Sequence, residues 1–335
     1  MTKLTNTVFA DVPAIGLGCM NLSHAYGHPP SRDVAESILH KAFDIGIRHF
    51  DTAALYGFGK NEELVGPTMR THRSDILLAS KCGMTGVDGK KNIDGRPETI
   101  LKTCEEALRR LQTDVIDLYY LHRWDKKVPI EESMGAMQRL LDDGKIREIG
   151  LSEVSANTLR KAHAIHPISV VQSEYSLWSR NVEVAVLDAC AELGVEFVAF
   201  APLARGFLTD TDVKPESFAE KDVRRGMPRF QAPYFSQNAK LLDRYRELAK
   251  NAGCSAAQLA LAWLLNRHPR IHLIPGTTSL SHLEENFQAL NFSLSPEIIE
   301  RVDCLINSST VSGPRYNAST QAEIDTEEIV VTAPT

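Results

Sequence analysis

Four residues carry the chemistry that this sequence offers. Asp51, Lys81 and His122 each stand at the C-terminal end of a short apolar run, and Tyr56 follows Asp51 five positions later. An acid, an amine, an imidazole and a phenol together suit the reduction of a carbonyl by hydride. The carbonyl oxygen then gains negative charge and needs a proton donor and electrostatic support. A phenol with an ordinary pKa of about 10 is a sluggish acid near neutrality. An ammonium about 4 Å away contributes at most about 4 kcal/mol at an effective dielectric of 20, or near three pKa units, which brings the phenol into a useful range. An aspartate beside the lysine keeps it charged when partly buried, and the histidine can hydrogen-bond the carbonyl and orient it. Singly, each residue has a blander reading: Tyr56 as a half-buried aromatic, Asp51 and Lys81 as a structural ion pair, His122 as a satisfied core histidine. Their convergence depends on the elements that carry them.

Those elements alternate. Apolar runs at 14–17, 48–51, 76–81, 115–121, 149–152, 170–172, 196–201 and 271–274 read as strands. Amphipathic stretches at 33–43, 62–69, 97–111, 130–141, 157–165, 184–193, 256–265 and 283–290 read as the helices that follow them. In 97–111, Ile100, Cys104, Ala107, Leu108 and Leu111 fall at helical spacing. Gly46, Gly144 and Gly194 sit where helix C-terminal glycines belong. Eight strand-then-helix units with no composition break predict one (β/α)8 barrel domain over 1–335 rather than an open doubly wound sheet. Barrel chemistry sits at the C-terminal strand ends. That rule gathers Asp51, Lys81 and His122 on three adjacent strands, with Ser152 and Gln172 ending the next two. The stretch 203–238 shows no sustained period and reads as a functional loop. Residues 81–96 and the tail after Asn307 read as weaker irregular segments.

Composition narrows the field. The chain has 335 residues, and 37 Lys plus Arg against 43 Asp plus Glu give a net charge of −6. Nothing in that balance calls for nucleic acid or an anionic membrane as a partner. No run approaches the 18 apolar residues of a transmembrane helix, and residues 1–10 lack the apolar core of a signal peptide. Six cysteines, none in a C-x-x-C pair, predict reduced thiols, and with the polar N-terminus a cytoplasmic location. Gly16-Leu17-Gly18-Cys19-Met20-Asn21 stops one glycine short of a Rossmann fingerprint, and the segment 83–91 fails as a P-loop. No H-E-x-x-H or G-x-S-x-G occurs. A nucleotide bound here would need another cradle.

Beyond these patterns, the sequence resembles the aldo-keto reductases over nearly its whole length. Asp51-Thr52-Ala53 with Tyr56-Gly57 and Asn61-Glu62 is similar to the family's first signature. Ser80-Lys81 and Leu118-Tyr119-Tyr120-Leu121-His122 resemble its strand-3 lysine and strand-4 histidine. The segment 145–152, K-I-R-E-I-G-L-S, resembles the run before the nicotinamide contacts. Ile274-Pro275-Gly276-Thr277 through Leu283-Glu284-Glu285-Asn286 resembles the adenosine-phosphate clamp.

The resemblance implies reversible NADPH/NADP+-dependent reduction of aldehydes and ketones to alcohols, without a metal, with Tyr56 as proton donor among Asp51, Lys81 and His122. It implies that Ser152 and Gln172 hold the carboxamide and that Phe200 lies near the nicotinamide. Gly18, Met20 and Asp51 belong to the implied cofactor set, as do Pro202, Leu203, Arg205 and Gly206 of the long loop. Pro275, Gly276, Thr277, His282, Glu285 and Asn286 complete it, with the N-terminus of the helix after strand 8 attracting phosphate. Two departures stand out. Glu153 replaces an asparagine that many members use on the carboxamide, and Gly276, Thr278 and His282 stand where others place cations against the 2′-phosphate. Arg205, Arg224 or Arg225 would have to compensate, and NADH stays open as an alternative cofactor. Tyr26, Met84 and Trp124, with Tyr56 and His122, are the expected substrate walls, and His28, Arg315 and Tyr316 are further candidates. Two other functions fit the same residues: a nucleotide-sensing regulatory subunit, and a Schiff-base lyase using Lys81. The substrate and the oligomeric state have no signature in the sequence.

Overall fold

A computed structural model describes residues 7–87 and 90–329. The first six residues, part of the polar N-terminal stretch, lie outside the described residues, as do 88–89 within the 81–96 segment and 330–335 in the tail. In chain order the strands are β1 (Leu17–Gly18), β2 (His49–Asp51), β3 (Leu77–Cys82), β4 (Met84–Val87), β5 (Lys90–Ile93), β6 (Ile116–Leu121), β7 (Ile146–Ser152), β8 (Val170–Glu174), β9 (Glu196–Phe200) and β10 (Ile271–Leu273). Eight of them form one parallel sheet in the order β1-β2-β3-β6-β7-β8-β9-β10. The sheet closes through an Ile15–Leu273 bridge, with Gly16 N–H on the Leu273 carbonyl at 2.8 Å. The fold is therefore the expected (β/α)8 barrel.

The helices are α1 (Arg32–Asp44), α2 (Lys60–Met69), α3 (Pro97–Leu111), α4 (Ile130–Asp142), α5 (Ala156–Ile165), α6 (Val186–Leu193), α7 (Tyr234–Ala239), α8 (Leu242–Asn251), α9 (Ala256–Leu265), α10 (Leu280–Gln288), α11 (Pro296–Leu305) and α12 (Ala318–Gln321). Their local causes are plain. α3 starts on Pro97, whose missing N–H costs nothing in a first turn, and buries Ile100, Cys104, Ala107, Leu108 and Leu111 along one stripe. Ser255 and Gln258 form a capping box at the start of α9, which is buried nearly all round.

Two layers of core explain how the strands aim their side chains. Leu77, Ala79, Leu118, Tyr120, Val170 and Val198 fill the barrel interior, with Phe9 beneath them. Leu78, Tyr119, Leu121, Ile149, Leu151, Val171 and Phe197 face outward into the core shared with the helices. A strand's period of two then sends Lys81, His122, Ser152, Gln172 and Phe200 inward with the first set. Gly150 makes room for the interior Tyr120, since a Cβ there would come within 2.3 Å of its ring.

Two expectations change, and the long loop gains detail. The segment 81–96 is not irregular: β4 and β5 pair as an antiparallel hairpin, from Met84 opposite Ile93 to Val87 opposite Lys90. Helices α8 and α11 lie in stretches that the strand-and-helix count passed over. The 203–238 loop is a chain of short 3-10 turns followed by α7.

Candidate active site

The β2–β3–β6 rim holds a buried ionic cluster. Lys81 is fully buried and donates to Asp51 Oδ1, to the Thr52 carbonyl at 2.9 Å and to Tyr56 Oη at 3.3 Å. Asp51 Oδ2 accepts a 2.8 Å bond from Gln172 Nε2 across the barrel. The Tyr56 and His122 rings meet edge to face at 5.8 Å, and both line a cavity of about 690 Å³.

Backbone and motif residues fix the Tyr56 loop. Thr52 N–H bonds the Ala79 carbonyl and Ala54 N–H bonds that of Lys81, so the chain leaving β2 stays on β3. Thr52 Oγ1 donates to Asn61 Oδ1 at 2.6 Å, while Asn61 Nδ2 donates to the Cys19 carbonyl and Ser23 Oγ. The fully buried Glu62 takes Ser80 Oγ and Arg110 Nε, each at 2.6 Å. The two motif residues Asn61 and Glu62 thus tie the β1 and β2 loops to β3 and α3.

Burial governs the proton chemistry. It holds the Tyr56 phenol above its ordinary value, although Lys81 most strongly, and Arg123 more weakly, pull the other way. The sequence led us to expect a lowered phenol, and desolvation outweighs the ammonium here. Burial also opposes charge on Lys81, but Asp51 and then Tyr56 raise its pKa on balance, so it stays protonated. That is the wrong state for Schiff-base attack. Burial, reinforced by Lys81 and Arg123, holds His122 well below its ordinary value, leaving a neutral ring whose buried Nδ1 has no partner.

A second cluster adjoins this one at the β7–β8 rim. Glu174 Oε2 accepts from Arg205 at 2.7 Å, Tyr316 Oη at 2.9 Å and Arg315 Nε at 3.1 Å. Glu153 accepts from Arg315 Nη2, from Thr326 Oγ1 at 2.8 Å and from the Glu174 N–H at 2.8 Å. Burial opposes both charges, yet the guanidiniums win: Arg205 above all holds Glu174 far below the carboxylate range, and Arg315 above all holds Glu153 below it. The tail is fastened further by Asp325 on Ser155 and Glu327 on the Ala156 N–H, which occupy the N-terminus of α5.

Most expected site residues fall on the one cavity. Gly18, Met20, Asp51, Ser152, Gln172, Phe200, Pro202, Leu203, Arg205 and Gly206 line it, as do Pro275, Gly276, Thr277, His282, Glu285 and Asn286. Tyr26, Met84 and Tyr316 line it too. Lys81 lies behind Tyr56. Trp124 does not line the cavity: its Nε1 donates to the Val128 carbonyl at 2.9 Å and its ring packs on the helical core. His28 and Arg315 are likewise absent from the walls. Gln172 spends its amide N–H on Asp51, and Arg224 and Arg225 bond Asp222 and the Phe218 carbonyl. Sequence reasoning missed Asn21, Lys91, Glu323 and Asp210 to Asp212 on the walls.

The far part of the cavity has the features of a nucleotide cradle. The acceptors Asn21 Oδ1 and Asn286 Oδ1 are buried there without partners. A Cβ on Gly276 would come within 2.8 Å of the Gly18 carbonyl and 3.0 Å of Asn21 Oδ1, so bare backbone forms that wall. The nine-residue α10 begins beside it with Ser279 as N-cap.

Comparison with known proteins agrees with this geometry. A family model described as "Aldo/keto reductase family" matches residues 14–307. The chain is 41% identical to an aldo-keto reductase of Schizosaccharomyces pombe whose name includes NADP(+), over 91% of this chain and 92% of that one. It is also 41% identical to a probable aldo-keto reductase of Glycine max, over 91% and 89%. Among solved structures, a glycerol dehydrogenase from Gluconobacter oxydans superposes with a TM-score of 0.82 at 30% identity, covering 90% of this chain and 94% of that one. An aldo-keto reductase from Klebsiella pneumoniae solved with NADPH gives 0.69 at 28% identity, covering 90% and 95%.

Proposed function

The chain belongs to the aldo/keto reductase family, and on that premise we propose that it is an NADPH-dependent oxidoreductase interconverting aldehydes or ketones with alcohols, with Tyr56 as the acid. The observation that carries the reading is Lys81 Nζ touching both Asp51 and Tyr56 at the edge of a cavity that His122 also lines. The unpartnered Asn21 and Asn286 oxygens and the glycine wall fit a dinucleotide. The NADP(+) in a relative's name and the NADPH in a neighbour's structure support the phosphorylated form.

Ser152, Gln172 and Phe200 would hold the nicotinamide end, and His282, Glu285 and Asn286 the adenosine end. Bound there, NADPH supplies the hydride that the carbonyl carbon receives. As charge develops on the carbonyl oxygen, Tyr56 gives it the phenolic proton, and Lys81 stabilises the phenolate left behind. Asp51 keeps Lys81 charged, and Gln172 holds Asp51 in place. The neutral His122 presents its ring to the carbonyl oxygen and fixes the carbonyl against Tyr56. In the reverse direction the phenolate takes the alcohol proton.

The test is aldehyde-dependent loss of NADPH absorbance, with alcohol formed in equal amount. Folded, cofactor-binding protein that oxidises NADPH at the same rate with and without a broad aldehyde and ketone panel would sink the proposal and leave the nucleotide-sensor reading. Better turnover with NADH would overturn the choice of cofactor alone.

A further inference from the structure

Three strongly basic side chains line the cavity among the described residues: Lys91, Arg123 and Arg205. The protein neutralises two of them. Lys91 pairs with Glu323 of the C-terminal segment, and Arg205 with Glu174. Arg123 is different. Its Nη1 donates to the His122 carbonyl at 2.6 Å and to Ser152 Oγ at 3.3 Å, both uncharged acceptors. Its Nε is buried without an acceptor, and among the described residues no carboxylate forms an ion pair with it. The neighbouring Glu153 is already taken by Arg315, Thr326 and a backbone N–H.

A guanidinium half withdrawn from water without a counter-ion is unfavourable, and a charge-assisted bond to a carboxylate is about twice as strong as a neutral one. The bond to Ser152, which ends the strand paired with the one leading to His122, puts that unmet charge at the reacting end of the cavity, whose walls also include Leu55, Met84 and Tyr26. A single uncompensated cation matches a single negative charge. A dianion would call for a second cation, and Glu323 already occupies Lys91.

We propose that Arg123 recognises a carboxylate on the substrate, so that the protein acts on aldehydes or ketones carrying one carboxylate besides the reacting carbonyl. This rests on the carbonyl-reductase reading. Hydride and proton transfer leave the carboxylate untouched, so the contact persists from substrate to transition state and its loss appears in KM more than in kcat. Arg123 is then a specificity residue, with Tyr56 still the acid.

The test compares 4-carboxybenzaldehyde with its neutral methyl ester, whose more electron-withdrawing group activates the carbonyl and so works against the preference sought. The wild-type protein should favour the acid by at least tenfold in kcat/KM. Arg123→Met should cut that ratio at least tenfold through the KM of the acid, and Arg123→Lys should keep part of it. Equal kcat/KM for acid and ester in the wild type, or a ratio unchanged in Arg123→Met, overturns the proposal. A loss of NADPH affinity in Arg123→Met, read by fluorescence titration, with the ratio unchanged would assign the cation to the cofactor instead. Calorimetric binding of 4-(hydroxymethyl)benzoate to cofactor-saturated protein decides the matter without turnover: at least tenfold weaker binding by Arg123→Met supports it, and equal binding overturns it. Failure of the reductase reading would show separately, as no turnover of the ester or of the acid.

Discussion

Two clusters of buried charge sit side by side on this barrel, and they are built differently. At β7–β8, Glu153, Glu174, Arg205, Arg315 and Tyr316 spend their hydrogen-bonding capacity mainly on one another and hold the C-terminal segment down. At β2–β3–β6, Asp51 and Lys81 are equally buried, yet Tyr56 and His122 face open space and His122 Nδ1 has no partner. A largely closed network rigidifies, because most of its donors and acceptors are met inside the protein, the buried Arg315 Nη1 excepted. An open one keeps capacity for a substrate at the cost of leaving polar atoms unmet. On the proposed function the first cluster is a fastening and the second a reaction centre, and the difference lies in what each one holds rather than in its residue types.

Removing a cation from each cluster separates the two most strongly. Lys81→Met strands Asp51 and withdraws the charge beside Tyr56. It should cost about 3–5 kcal/mol of stability, the usual penalty for an orphaned buried charge. It should also lower kcat about a thousandfold, matching roughly 4 kcal/mol of lost Coulombic support. Arg315→Ala strands Glu153, while Glu174 keeps Arg205, and should cost about the same 3–5 kcal/mol in urea unfolding. Its folded fraction should keep kcat within about tenfold, since Arg315 touches no reacting group. A thousandfold loss there would erase the distinction between the clusters.

Acid and alkali separate them more gently. Glu153 and Glu174 titrate below the ordinary glutamate value in the folded protein. Their stabilising contribution is therefore complete above the unfolded value of about 4.3 and drains away as pH falls through the folded values. Thermal unfolding should be flat from about pH 7 to 5 and fall below about pH 4.5. Tyr56 titrates above its ordinary value of about 10, so the acid form persists through neutrality. With His122 neutral to well below pH 6.5, the reduction rate should be level from about pH 6.5 to 9 and fall only in stronger alkali. A bell centred near pH 7 would require a phenol lowered well into the neutral range.

Much of this was legible in the sequence. Apolar runs ending in Asp51, Lys81, His122, Ser152 and Gln172 revealed the strands and the rim, because barrel strands are buried on both faces and their ends carry the polar exceptions. The start of α11 was legible but unused, since Ser295-Pro296 is an ordinary N-cap and first-turn pair. The β4–β5 hairpin was not, because Lys90 to Asn92 are exposed and show no apolar alternation. Contacts between distant parts of the chain were hidden as well. Lys91 meets Glu323 and Arg315 meets Glu153 across 232 and 162 residues, and no local pattern announces either pair. Trp124 misled because adjacency to His122 says nothing about which way a side chain turns after a strand ends. The Tyr56 phenol misled because the ammonium is visible in the sequence and the depth of burial is not.

The most direct test of the account is Tyr56→Phe, followed by single-turnover oxidation of NADPH with a saturating neutral aldehyde. The substitution removes one oxygen, so the melting temperature and NADPH affinity should stay close to wild type. The hydride-transfer rate should fall by about 10²–10⁴-fold, the range for loss of a general acid. A rate within threefold of wild type, in a variant that binds NADPH normally, would contradict the assignment of Tyr56 as the proton donor.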